Sequence, residues 1–156
     1  MSVAEQRGLP GPAMALDLGE RRIGVAVSDR RRILASPLTV VVRTGDRARE
    51  HEEIRRLVEE AGATTVVVGL PLSLSGASGP AANRALAEIE ELRLMLPVPV
   101  VAQDERLSTV EAQRRLRDTT TATRNSRAPA KKRRAVVDDK AAAIVLESFL
   151  ASEPRP

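Results

Sequence analysis

The segment Ala15–Asp29, ALDLGERRIGVAVSD, decides how the chain folds. Two short apolar runs flank a polar turn at Glu20–Arg22, the pattern of a tight β-hairpin. Its first run carries one carboxylate, Asp17, between Leu16 and Leu18. An ionised Asp at mid-strand is costly to desolvate unless a cation or several donors receive it. Gly19 and Gly24 let backbone pass close to that position, or merely serve the turn.

Outward from the hairpin, the elements alternate. Ala13–Leu18 reads as a buried strand, Ile23–Ser28 as its partner, and Ile33–Val42 as a third strand after the polar turn at Asp29–Arg32. Three consecutive strands make an antiparallel meander. Ile54, Leu57, Val58 and Ala61 repeat at helical spacing, which predicts a helix over Asp46–Ala61 that Gly62 stops. The β-branched run at Thr64–Val68 predicts a strand covered on both faces. A Gly- and Ser-rich loop, GLPLSLSGASGP, leads to a helix over Ala81–Leu96 with Ala82, Ala85, Leu86, Ile89, Leu92 and Leu96 on one side. VPVVAQ is a fifth strand, and Ser108-Thr109-Val110-Glu111 is a capping box that starts a helix through Leu116. A final helix is expected over roughly Ala135–Leu150. The order βββαβα, then βα and α, implies an α/β fold: a mixed five-stranded sheet with helices on both faces. Residues 1–12 form a disordered lead-in rich in Gly and Pro, residues 13–150 a single domain, and residues 151–156 a tail.

Composition narrows the chemistry. The 156 residues contain no Cys, one His and one aromatic, Phe149. That excludes disulfides, thiolate metal sites and a Cys nucleophile, and it leaves no aromatic platform for stacking bases. His51, among Glu50, Glu52 and Glu53, is assigned to solvent, and Phe149 to the core. The N-terminus lacks a signal-peptide pattern, and no apolar run approaches the ~20 residues of a membrane span, so the cytoplasm is expected. Between Thr119 and Val137 stand Arg124, Arg127, Lys131, Lys132, Arg133 and Arg134 with no acid; these six cations in a chain of net charge +4 leave the remainder at −2. A local basic stretch on a slightly acidic body suits a polyanion such as nucleic acid. A solvated loop is the alternative.

The acids lie far apart in sequence. Asp17 sits on the first strand, Asp104-Glu105-Arg106 follow the fifth, and Asp138-Asp139 open the last helix. Ligands of open α/β sheets gather beyond the carboxyl ends of strands. Acids converging there would hold hard divalent cations, Mg²⁺ or Mn²⁺, and two such ions ~4 Å apart activate water and stabilise a leaving phosphodiester oxygen. Asp104 as a helix-approach acid and Asp138/Asp139 as first-turn acids are the structural alternatives.

Four motifs in order, ALDLGERRIGVAVSD, VVVGLPLSLSGASG, DERLSTVEAQRRL and VDDKAAAIVLESFL, resemble the YqgF/RuvX family, bacterial RuvC-like proteins of ribonuclease H-like fold. The resemblance spans Ala13–Leu150. It implies a metal-dependent nuclease acting on structured RNA in 5′-end processing of pre-16S rRNA, or on branched DNA as a Holliday junction resolvase. Asp17 is then the first acid, Glu105 the second, and Asp138 the third, because VDDKAA follows the family's V/I-D-x-x-A-A pattern. Asp104 and Asp139 are subsidiary metal-site candidates, and Arg22 and Arg106 are candidate phosphate contacts beside the basic stretch. A four-way junction would call for a homodimer cutting twice, although no dimer seam is legible. Two other classes compete. A maturation factor that binds without cutting would tolerate loss of the acids, which are all present, and an actin-like ATPase would need two such domains.

Overall fold

A computed structural model describes residues 8–72, 79–105 and 130–154, with backbone alone over 130–139. The hairpin forms as read: β1 (Ala13–Leu18) pairs antiparallel with β2 (Arg22–Ser28), which places Asp17 opposite Gly24. β3 (Ala35–Val42) completes the meander. Helix α1 (Arg47–Ala61) is capped by the Asp46 side chain, which accepts from the Arg49 amide, and ends at Gly62 with φ +66°. β4 (Thr65–Leu70) and β5 (Val100–Asp104) add in parallel on the far side of β1, with α2 (Pro80–Met95) between them. The chain closes with α3 (Ala130–Ser152). The five strands run in the order β3-β2-β1-β4-β5.

Strand alternation splits the core in two. Met14, Leu16, Ile23, Val25, Val66 and Val68 face α1 and α2, where Ile54, Val58, Ile89 and Leu92 meet them. Ala13, Ala15, Ala26 and Val67 face α3, against Ala142, Ala143, Val145 and Leu146. Alanines on both sides of the second layer let the helix backbone approach the sheet closely. Continuing the alternation of β1, Asp17 falls on the α3 face.

α3 is fixed in direction as well as height. Glu153, just past its end, pairs with Arg32 at 2.5 Å, and the Arg32 guanidinium also donates to Gly11 O, Thr64 Oγ1 and Thr65 Oγ1 at the amino ends of β1 and β4. Val145 lies instead against Gly69, near the carboxyl end of β4. The helix thus runs antiparallel to β1, its N-terminal half directed towards the strand ends where Asp17 and Glu105 stand.

Several expectations change. The last helix starts at Ala130, so Lys131–Arg134 occupy helical backbone rather than a loop. The lead-in is anchored at its final residues: Pro10 O and Pro12 O accept from Thr64, and Gly11 N donates to Arg30 O. His51 is 4% exposed, not solvated, and Leu86 is 40% exposed, not core. The helix expected after the capping box lies outside the described residues, as do Arg106, Arg124 and Arg127.

Candidate active site

The carboxyl ends of β1, β4 and β5 line up because the three strands are parallel neighbours. Leu16 is level with Val68, Gly69 with Gln103, and Leu70 with Asp104. Asp17 is the penultimate residue of β1, Asp104 closes β5, and Glu105 follows at once, its amide donating to Leu70 O at 3.2 Å. That bond ties Glu105 to the end of β4. All three acids are half-buried.

Gly69 makes the room. A Cβ on it would collide with Glu105 Oε1 and press on Val145 Cγ2 at 3.0 Å. The Glu105 carboxylate therefore lies across the missing side chain of β4, beneath the apolar surface of α3. Burial, then the charges of Asp17 and Asp104, push its pKa up to about 7. Each contribution disfavours the carboxylate form, so a cation arriving here gains from the relief of all three.

Among the described residues no three His, Asp or Glu side chains gather closely enough to hold a metal ion. The third acid expected, Asp138, stands in the part of α3 described by backbone alone. It is two helical turns before Val145, about 10 Å along the axis towards the strand ends. The carboxylates of β1 and of the end of β5 are of the kind that a hard divalent cation takes, since it prefers oxygen ligands and few of them from protein. Asp139 is the next residue of the same helix. Arg22 opens β2 half-buried and alternates with Ile23, which puts it on the face of Gly24, the residue opposite Asp17. Lys131–Arg134 lie one to two turns before Asp138, with their side chains outside the description.

Sequence reasoning missed a second charged cluster, on the opposite face. Glu50, His51 and Glu88 are 3%, 4% and 3% exposed, and Arg43 joins them. The signal was present: Glu50 falls four residues before Ile54 and seven before Leu57, and Glu88 lies between Ala85 and Leu92 on the apolar stripe of its helix.

Residues 11–152 match the family model described as RuvX, Holliday junction resolvase. The chain belongs to the RuvX family. Among RuvX relatives, one from Roseiflexus sp. (strain RS-1) is 43% identical over 144 residues, 92% of this chain and 96% of that protein. Another, from Desulforudis audaxviator (strain MP104C), is 39% identical over 139 residues, 89% of this chain and 93% of that one. Both carry the name "Putative pre-16S rRNA nuclease". Among solved structures, T. thermophilus RuvC in complex with a Holliday junction substrate matches with a TM-score of 0.56 at 15% identity, over 90% of this chain and 95% of that one. RuvC of Thermus thermophilus in a further structure gives 0.53 at 14% identity, over 90% and 97%. The fold is therefore RuvC-like, of the ribonuclease H class, as the family resemblance had implied.

Proposed function

We propose that this RuvX-family chain is a divalent-metal-dependent nuclease that hydrolyses phosphodiester bonds in the 5′-end processing of pre-16S rRNA in the cytoplasm. Residues 13–150 form the nuclease domain. The observation that carries the proposal is the burial of Glu105 against Gly69, with Asp17 and Asp104 close enough to raise its pKa to about 7. Asp17, Glu105 and Asp138 hold the metal, with Asp104 and Asp139 beside them. Mg²⁺ or Mn²⁺, when bound, supplies Lewis acidity and an activated water.

The chain itself supplies placement. Glu105 is partly protonated at neutral pH, and holding a cation would require that proton to leave. Gly69 keeps the carboxylate at the strand ends, and Val145 seals it from the side. Arg22 and Arg106 meet the phosphates flanking the scissile bond. Arg124, Arg127 and Lys131–Arg134 extend the contact along the backbone, where charge rather than base identity is read. With Phe149 the sole aromatic, recognition rests on backbone shape and phosphate, which suits structured RNA.

A cleavage assay tests the reading. Purified protein with Mn²⁺ or Mg²⁺ is offered a precursor 16S rRNA fragment and a four-way DNA junction in parallel. Metal-dependent cutting of the RNA, lost in Asp17→Asn, is the expected result. Cutting of the junction alone would transfer the activity to branched DNA, the substrate in the family's description. Tight RNA binding without cutting by either protein would leave a non-catalytic maturation factor.

A further inference from the structure

Arg43 follows the last residue of β3, and Val42 pairs with Arg22, so the chain delivers it to the β1–β2 turn. Its amide donates to Arg21 O at 2.9 Å and its Nε donates to Gly19 O at 3.0 Å. The other edge of the guanidinium faces two helices. Nη1 donates to Glu88 Oε1 at 2.7 Å and to Glu50 Oε1 at 3.1 Å, and Nη2 donates to Glu88 Oε2 at 3.0 Å. His51 Nε2 lies 2.8 Å from Glu88 Oε1. The second Glu50 oxygen accepts from the amides of Thr44 and Gly45 at 2.8 and 3.0 Å. Gly19 completes the chain of contacts: its amide donates to Asp17 O at 3.1 Å and to Arg22 O at 2.9 Å. A side chain there is excluded, since a Cβ would sit 2.5 Å from Arg22 O.

The geometry points to Arg43 as a positioning residue for Asp17. Its planar fork joins the Gly19 carbonyl to α1 and α2 at once, and Gly19 in turn holds the main chain of Asp17. A buried ionic network of this kind contributes little net stability compared with apolar residues of similar volume, and its attested use is to specify one geometry. A lysine ammonium cannot serve all three directions in one plane. Glu50 and Glu88 orient the fork, and His51 orients Glu88. The inference rests on Asp17 being a metal-binding acid of the nuclease.

The test uses the full chain with Arg43→Lys and Glu88→Gln, and Arg55→Gln on the exposed face of α1 as control. Steady-state cleavage of the precursor 16S rRNA fragment is measured beside Mn²⁺ binding followed by water-proton relaxation. In Arg43→Lys, kcat should fall about 10- to 100-fold, as small displacements of reacting groups do. KM should stay within about twofold, the split expected when transition-state placement is lost. Mn²⁺ affinity should weaken about tenfold or more, the scale for groups that orient ligands. Folded Arg43→Lys protein with wild-type kcat and Mn²⁺ affinity would overturn the proposal. Should that variant fail to fold, Glu88→Gln preserves shape and carries the same expectations and the same refutation. Should wild-type protein neither bind Mn²⁺ nor cut, the nuclease reading fails separately. Amide exchange then decides the clamp: faster exchange confined to residues 17–22 in the variants supports it, and unchanged exchange there overturns it.

Discussion

Two sets of buried charge sit on opposite faces of one sheet, and their carboxylates respond in opposite ways. Under α1 and α2, burial alone would raise Glu88, but hydrogen bonds from His51 and Arg43 outweigh it and hold the group at about 2. Glu50 is likewise lowered against its burial, by the Thr44 amide and by Arg43. Under α3, burial acts on Glu105 together with Asp17 and Asp104, and all three push it up to about 7. The first set carries its own cation within the chain. The second, in the proposed nuclease, would receive one from solution. On the proposed function, a carboxylate buried for architecture and one buried for chemistry differ in what the fold packs around them.

The widest gap between the two faces should appear in activity. Asp17→Asn is expected to reduce cleavage about 10³-fold, the scale of losing one charged group at a reacting centre, with RNA affinity unchanged in a filter-binding titration. The same variant removes one of the charges that raise Glu105, whose titration should move down. On the other face the larger effect should be on stability, with cleavage falling less than in Asp17→Asn. Glu88→Ala leaves Arg43 and His51 buried beside no Glu88 carboxylate and should cost about 3–5 kcal/mol in urea unfolding. Comparable destabilisation from Asp17→Asn would erase the distinction.

Gly69→Ala sharpens the comparison from the backbone side. The added methyl collides with Glu105 Oε1 and must displace it or shift α3. Overpacking of this kind costs about 1–3 kcal/mol, and cleavage should fall with it. If Glu105 moves aside without strain, unfolding would be unaffected while Mn²⁺ binding weakens. The smallest effect belongs to neither face. Arg55 pairs with Glu52 and Glu59 along the exposed side of α1, and Arg55→Ala should shift the melting midpoint by less than about 2 °C.

The architecture was largely legible in the sequence because its signals are local. The Asp17 hairpin, the β-branched run at Thr64–Val68 and the apolar stripe of Ile54, Leu57 and Val58 each report their own element. Asp17 and the Asp104–Glu105 pair were legible for a related reason, as acids inside or just after an apolar strand, while the choice of Glu105 came from the family resemblance. The Arg43–Glu50–Glu88–His51 network was not. Its members come from β3's end, α1 and α2, and Glu50 and His51 sit among Glu52, Glu53 and Arg55, where a charged run reads as solvated. Only their phase relative to Ile54 set them inside. The start of α3 was misjudged because Lys131–Arg134 read as an independent basic stretch, although Lys and Arg are good helix formers. The part played by Gly69 is a matter of space, visible only once β4 and Glu105 are placed together.

The most direct test of the two-face distinction is a carbon-detected NMR titration of the Glu105 side-chain carboxyl, without and with saturating Mg²⁺. Without metal it should titrate near 7, and the unloaded protein should lose stability as pH rises from the usual 4.5 towards that value, since the folded state holds a proton the unfolded state has released. With Mg²⁺ the titration should move well below 7, and the metal-free loss of stability should disappear. A Glu105 that titrates near 4.5 in both conditions would contradict the claim that this face is built to receive a cation.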